Sequence, residues 1–263
     1  MRDRTLLGWL AVPLASSAAL SAPSARPALA LTADQLVARN LDARGGAAAL
    51  AAIKSLGLTG KMIFPGDFQL DYRETRSRAA GGDKSRVDAT IQGLTVVTAY
   101  DGRTGWRVNP FQGRRDAEQM SADEGRSMAD SSLVSGMLQS AAADGSTVTA
   151  LGREDFDGTD AWKVKVVQKD GDQFTYLLDP DTMLEIAMTE TRTVRGALQV
   201  NHYELGDYEK IGGVYFPMSV ESWQGGQSNQ RQRVEIASGE ANVAAPDSLF
   251  AVPSAPSRTP AGK

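Results

Sequence analysis

The sequence predicts a mainly β protein with a helical cover: a large, strongly curved antiparallel sheet closed over helices. Three observations carry this. From Leu56 onward apolar and polar residues alternate with period two for most of the chain, the signature of strands with one buried face. Turn signals punctuate the rows, from Pro65-Gly66-Asp67 to Gly212-Gly213, as in a meander of roughly ten to twelve strands. Two other segments carry apolar residues at helical spacing. A sheet with one apolar face must hide that face, and these helices are the available cover.

Residues 1–30 read as a segment apart. Arg2 and Arg4 precede a mostly apolar run, LLGWLAVPLASSAAL, and small residues follow up to Ala28-Leu29-Ala30. That order is a secretory signal peptide with cleavage after Ala30. The apolar run is too short, and too broken by Pro13, Ser16 and Ser17, to span roughly 30 Å of hydrocarbon. No cysteine follows, so a lipoprotein anchor is excluded. Adjacent arginines are missing, so the route is Sec-type and the destination the periplasm.

The repeating part begins LTADQLVARNLDARGG. Thr32 or Asp34 caps a helix, Leu36, Val37 and Leu41 form its apolar stripe, and Gly45-Gly46 stops it. Leu50 and Ile53 mark a second short helix. Strand rows follow: Phe68, Leu70 and Tyr72; Leu94 and Val96; Trp106 and Val108; Trp162, Val164 and Val166; Phe174, Tyr176 and Leu178; Leu184, Ile186 and Met188; Val214 to Val220; Val234 and Ile236. The stretch Met120 to Gly145 breaks the rhythm. Leu133, Val134, Met137 and Leu138 are spaced for a helix there, which predicts an inserted helical lid. Ser254 to Lys263 is rich in Pro and Ser and predicts a disordered tail. The organisation is therefore a signal peptide over 1–30, one domain over 31–253 and a tail over 254–263.

Composition removes several function classes. The net charge is −4, and residues 1–30 hold three Arg against one Asp, so the remainder is more acidic still. Such a chain lacks the basic footprint of a nucleic-acid binder and is not drawn to anionic membranes by net charge. Lysine and arginine rows such as Lys163-Lys165 argue against stable insertion as an outer-membrane barrel. There is no cysteine and one histidine, His202, so zinc has no ligand set and a Ser-His-Asp site would have to use that one ring. No G-x-S-x-G surrounds a serine, and Gly57-Leu58-Thr59-Gly60-Lys61 has the wrong spacing for a phosphate loop. The acidic turns at Asp170-Gly171-Asp172 and Asp179 to Thr182 lack a calcium loop's length. No catalytic residue, metal or cofactor is predicted. The sequence YDGRTGW, Tyr100 to Trp106, is echoed by FDGTDAW, Phe156 to Trp162. The shared part is aromatic-Asp-Gly with a closing Trp, which is hairpin chemistry; the polar positions between do not match.

Several stretches in order resemble bacterial periplasmic proteins of the LolA/LolB lipoprotein-sorting family: ARGG followed by AIKSLGLTGKM, AYDGRTGW, LGREDFDGTDAWKVKVV, YLLDPDTMLEI, GDYEKIGGVYFPMSVES and PDSLFAVP. The resemblance covers roughly residues 33 to 253. It implies a half-open antiparallel barrel, helices plugging the concave side, and an apolar concavity that holds acyl chains in the carriers. This chain is accordingly expected to be a monomeric, non-enzymatic periplasmic carrier of a lipid or acylated lipoprotein. The alternative is an envelope module that binds a protein partner. Candidate ligand-binding residues are Phe68, Leu70, Tyr72, Val96, Trp106, Val108, Leu133, Met137, Trp162, Phe174 and Tyr176.

Overall fold

The computed structural model describes residues 30–113 and 116–253. The expected signal segment up to residue 29 and the tail from residue 254 lie outside the described residues. From Leu31 onward the described residues form one compact unit.

Helix α1 (Ala33–Ala43) starts at Thr32, whose hydroxyl accepts from the backbone N–H of Gln35 while the Gln35 side chain accepts from that of Thr32. This reciprocal cap satisfies two donors at the helix start. Leu36 is fully buried. Gly45, at φ +124°, breaks the chain between α1 and α2 (Gly46–Ala52). A Cβ there would stand 2.3 Å from the carbonyl oxygen of Gly213, so glycine is required by space as well as by backbone angle.

Fifteen strands follow among the described residues: β1 (Ser55–Phe64), β2 (Phe68–Ser77), β3 (Lys84–Ile91), β4 (Leu94–Tyr100), β5 (Gly105–Val108), β6 (Glu118–Gln119), β7 (Thr147–Phe156), β8 (Thr159–Val167), β9 (Gln173–Leu178), β10 (Glu185–Val194), β11 (Ala197–Gly206), β12 (Glu209–Ile211), β13 (Val214–Phe216), β14 (Ser219–Gln224) and β15 (Gln232–Ala241). Thirteen form one antiparallel sheet in the order β6-β5-β4-β3-β2-β1-β15-β14-β11-β10-β9-β8-β7, and β12 and β13 pair apart. The sheet has two ends and does not close. The antiparallel hairpins follow from the turn signals. At Asp157-Gly158 both residues have positive φ, 48° and 83°, as a two-residue primed turn needs.

The inserted segment is two helices rather than one, α3 (Ala122–Ser132) and α4 (Met137–Asp144). Leu133 caps α3 and Val134 lies in the link, so the four apolar residues do not share one helix. Gly136, at φ +78°, sits just ahead of α4. Helix α3 packs on β3, β4 and β5 and also on β10. In the sheet, β2, β1, β15, β14 and β11 lie between those contacts, so the sheet bends around α3. Helices α1 and α4 cover β7 and β8. Leu36, Met137, Leu138 and Ala141 thereby pack with Val164, Val166, Phe174, Tyr176 and Leu178 in one core. A second core joins Leu50 and Ile53 to Leu56, Leu58, Ile211, Val214 and Phe216.

One strand departs from its predicted facing. The row Leu184, Ile186, Met188 was expected inward and Glu185 outward. The pairing of β10 with β9 shifts between Glu185 and Ala187, and this bulge turns Glu185 inward, where it is buried.

Candidate ligand cavity

A cavity of about 340 Å³ lies between the sheet and the helical insert. One wall comes from β1, β2, β14 and β15, with Leu58, Tyr72, Val220 and Ile236. The other comes from β9, β10 and β11, with Phe174, Tyr176, Met188 and Leu205. Helices α3 and α4 close it with Leu133, Val134, Met137 and Leu138. Alternation places these residues inward, and curvature brings the two walls to face each other.

Of the candidate residues, Tyr72, Leu133, Met137, Phe174 and Tyr176 line this cavity. The other six do not. Phe68 stands at the β1–β2 turn, half exposed, with its ring centroid 5.9 Å from that of Phe64. Leu70 is buried one pair of residues before Tyr72 on the same face, outside the cavity. Val96 and Val108 are half-buried on β4 and β5. Trp106 is fully buried and donates from Nε1 to the carbonyl of Phe250 at 2.7 Å. Trp162 packs at the edge of the first core with the Arg153 guanidinium over its ring at 4.3 Å. Period two selected inward-facing residues; which of them reach the hollow depends on where the helices press.

The cavity also holds charged groups that apolar patterning passes over. The Tyr72 hydroxyl donates to Glu74 at 2.8 Å, and Arg76 Nε donates to the same carboxylate at 2.7 Å. Glu190 accepts from Arg192, from Asn201 at 3.0 Å and from the Tyr203 hydroxyl at 3.1 Å. Asp130 of α3 accepts from Gln168 at 2.8 Å and from Arg192 at 3.2 Å. The Tyr208 hydroxyl donates to the Glu185 backbone carbonyl at 2.8 Å, and Arg44 Nη1 lies 3.8 Å from the Glu185 carboxylate. Every carboxylate in the cavity thus has a cation or hydroxyl against it, as buried charge requires. Sequence reasoning missed them, although Glu74 continues the Leu70–Tyr72 row and Glu190 and Arg192 continue from Met188.

Burial drives the protonation equilibria here. Desolvation holds the hydroxyls of Tyr72, Tyr176, Tyr203 and Tyr208 well above the ordinary tyrosine range, and the adjacent glutamates push in the same direction. Asp130 is raised above the usual carboxylate range, mainly by burial. These tyrosines are neutral at physiological pH, and Tyr72, Tyr203 and Tyr208 act as donors.

The insert is pinned at its link. Val134 N–H donates to Asp83 at 2.9 Å, and the Ser85 and Ser132 hydroxyls lie 2.6 Å apart. Arg44 Nη1 donates to the Ser135 carbonyl at 2.7 Å and Arg78 Nη2 to its hydroxyl at 2.7 Å. At the other end of α3, Glu124 accepts from Arg107 of β5 and from Arg195 of the β10–β11 turn.

His202 is remote from the cavity. Its Nδ1 lies 3.2 Å from the Thr189 hydroxyl and its ring stacks on Trp223, a cross-strand packing role. Among the described residues no group of three or more His, Asp or Glu could hold a metal ion. Asp179 accepts from the N–H groups of Asp181 and Thr182, which makes that acidic stretch a turn. Tyr100 to Trp106 is a corner as well. Asp101 Oδ1 accepts from the N–H of Arg103 at 2.9 Å and of Thr104 at 2.8 Å, and only Gly102 has positive φ. The two echoed stretches therefore make hairpins of different build.

No family model matches the chain, and no curated protein matches it in sequence. Solved structures do match in shape. A DUF1329 family protein from Desulfovibrio piger aligns at TM-score 0.60 and 11% identity, covering 83% of this chain and 97% of that one. A domain from Vibrio parahaemolyticus, described as an outer membrane lipoprotein-sorting protein domain, aligns at TM-score 0.56 and 14% identity over 83% and 97%. A LolA superfamily protein from Nitrosomonas europaea aligns at TM-score 0.55 and 13% identity over 84% and 98%. At these identities the likeness is one of fold, and the large unclosed sheet with four helices against it is a LolA-like fold.

Proposed function

We propose that this chain is a periplasmic, non-enzymatic binding protein that shelters a lipid or an acyl chain of a lipoprotein in the cavity. The observation that supports this reading is the cavity itself: an aliphatic and aromatic lining from both walls and from the insert, with each carboxylate already engaged. An alkyl chain costs about 0.8 kcal/mol per CH₂ exposed to water, so a carrier must offer such a hollow. The volume is near the lower end of the ~300–1,000 Å³ found for small-molecule sites, which suits one chain better than several. Met137 and Met188 give the lining side chains that adapt to irregular shapes. Engaged carboxylates favour binding over hydrolysis, because a general acid or base needs a group free to exchange a proton with substrate. The alternative of a protein partner added at a sheet edge is less favoured. Edge strand β7 has a bulge between Ala150 and Arg153, a device that blunts strand addition.

The test is extraction of the purified protein into organic solvent, mass spectrometry of the extract, and melting with added fatty acid, phospholipid or lipoprotein. Bound lipid, or a raised melting temperature that Leu133→Lys abolishes, is the expected outcome. A protein that comes out empty and gains no thermal stability from any of the three sinks the reading.

A further inference from the structure

The large apolar side chains most exposed on the described surface are Phe68, Leu94, Phe111, Leu151, Leu198 and Val252. Single exposed apolar residues are ordinary; their placement here is not. Phe68 ends the β1–β2 turn, Leu94 the β3–β4 turn, and Leu198 follows the β10–β11 turn, while Phe111 lies in the helical turn after β5. In an antiparallel sheet these connections share one end. The pairings Ile63–Arg233 and Asn201–Gln224 place the β14–β15 connection at that end too. Four of the six therefore stand along one rim, 50%, 39%, 51% and 70% exposed.

The two ends of the sheet differ in charge. The connections at this rim, β8–β9 among them, carry the described exposed acids Asp67, Asp116 and Asp170 against Lys169, Arg195 and Arg231. The opposite end carries Asp155, Asp157, Asp181, Asp207 and Glu209 on the β7–β8, β9–β10 and β11–β12 connections, against Arg103 and Lys210, all exposed. The excess of acid in a chain of net charge −4 thus lies at the end away from the apolar tips.

We propose that this rim docks reversibly on a phospholipid bilayer, its tips entering the boundary between headgroups and acyl chains. Apolar points on separate hairpins, with polar residues between them, suit a fluid interface. A protein partner would call for a contiguous, desolvated core patch. The charge-balanced rim is repelled less than the acidic end by an anionic surface, which orients the molecule. The β10–β11 turn of this rim touches the first turn of helix α3, where Arg195 N–H donates to Asp123 at 2.8 Å, so docking acts on an element that covers the cavity. The inference stands apart from the cavity's occupant.

Residues 31–263 are floated with phosphatidylcholine vesicles and with phosphatidylcholine–phosphatidylglycerol vesicles. Wild type is expected to float with both. Phe68→Ser/Leu198→Ser should partition roughly tenfold more weakly, since apolar area drives interfacial binding. Leu151→Ser, on β7 away from the rim, should match wild type. All three positions are exposed, and unchanged circular dichroism verifies the fold. Wild type left behind by both vesicles, or Leu151→Ser losing as much as the double variant, overturns the proposal. So does a double variant that still floats but loses an envelope protein in a pull-down. Lipid retention in the cavity is measured separately, so failure at the rim and failure of the cavity reading are distinguishable.

Discussion

Trp106 donates its indole N–H to the carbonyl of Phe250 at 2.7 Å, and neither residue is exposed to solvent. The bond joins β5 to the last described segment of the chain and satisfies two polar groups that water cannot reach. Trp106→Ala is expected to destabilise by about 3–5 kcal/mol, the range for deleting a buried aromatic. Trp106→Phe keeps most of the volume but orphans the carbonyl, at a cost of about 1–3 kcal/mol. Denaturant unfolding measures both. Because Trp106 lies outside the cavity, ligand affinity of the folded variants should match wild type.

The corner preceding Trp106 has a different division of labour. Asp101 accepts two backbone N–H groups, whereas the Arg103 side chain is exposed. Asp101→Ala should cost about 1 kcal/mol, the usual net value of such hydrogen bonds. Arg103→Ala and Thr104→Ala should each unfold within ~0.5 kcal/mol of wild type, as surface substitutions do. A larger loss at Arg103 than at Asp101 would contradict the assignment of the turn to Asp101.

Strand rows, hairpin turns and helix starts were legible because each rests on local chemistry. Period two marked Tyr72, Phe174 and Tyr176 as inward, and Thr32 announced its own cap. The bulge beside Ile186 was not legible, since one extra residue in a ladder leaves no mark in an alternating row. Nor did the sequence separate the cavity wall from solid core. Leu70 and Tyr72 share a face, yet only Tyr72 reaches the hollow, because the distinction comes from where α3 and α4 settle. The ion pairs in the cavity were missed for another reason: Glu74 with Arg76 and Glu190 with Arg192 are neighbours on one inward row, and a charged residue in such a row carries no mark of facing inward.

Glu124 sets an acid limit for the lid. The Ser121 hydroxyl and N–H, with Arg107, lower its carboxyl to about 2. A depressed carboxylate contributes stability above its unfolded value, near 4.5, and that contribution is lost as pH falls toward 2. Wild type should therefore lose unfolding free energy across that window. Glu124→Gln should start less stable at pH 7 and fall less steeply between pH ~4.5 and ~2. Urea midpoints over that range decide it; equal slopes would remove Glu124 from the acid response.

Arg192 pairs with Asp130, Asp172 and Glu190, and it is buried with Asp172 and Glu190 while Asp130 is partly exposed. Burial already raises Asp130 and Asp172 above the ordinary carboxylate range. A raised carboxylate contributes stability that is full below its unfolded pKa and lost as pH rises through its folded pKa. Wild type limits that loss because Arg192 compensates the ionised forms. Arg192→Met removes the compensation and should cost about 3–5 kcal/mol at neutral pH, as for any broken buried pair. The carboxyls must then rise further, so the variant should regain stability as pH is lowered from about 7 toward the carboxylate range near 4, where wild type gains less. Adding Glu190→Gln should recover part of the loss at neutral pH by removing one uncompensated charge. Urea unfolding of the three proteins across this range measures the effect, and midpoints that move in parallel with pH would show that Arg192 acts only by packing over the Phe174 ring, whose centroid is 5.7 Å from its guanidinium carbon.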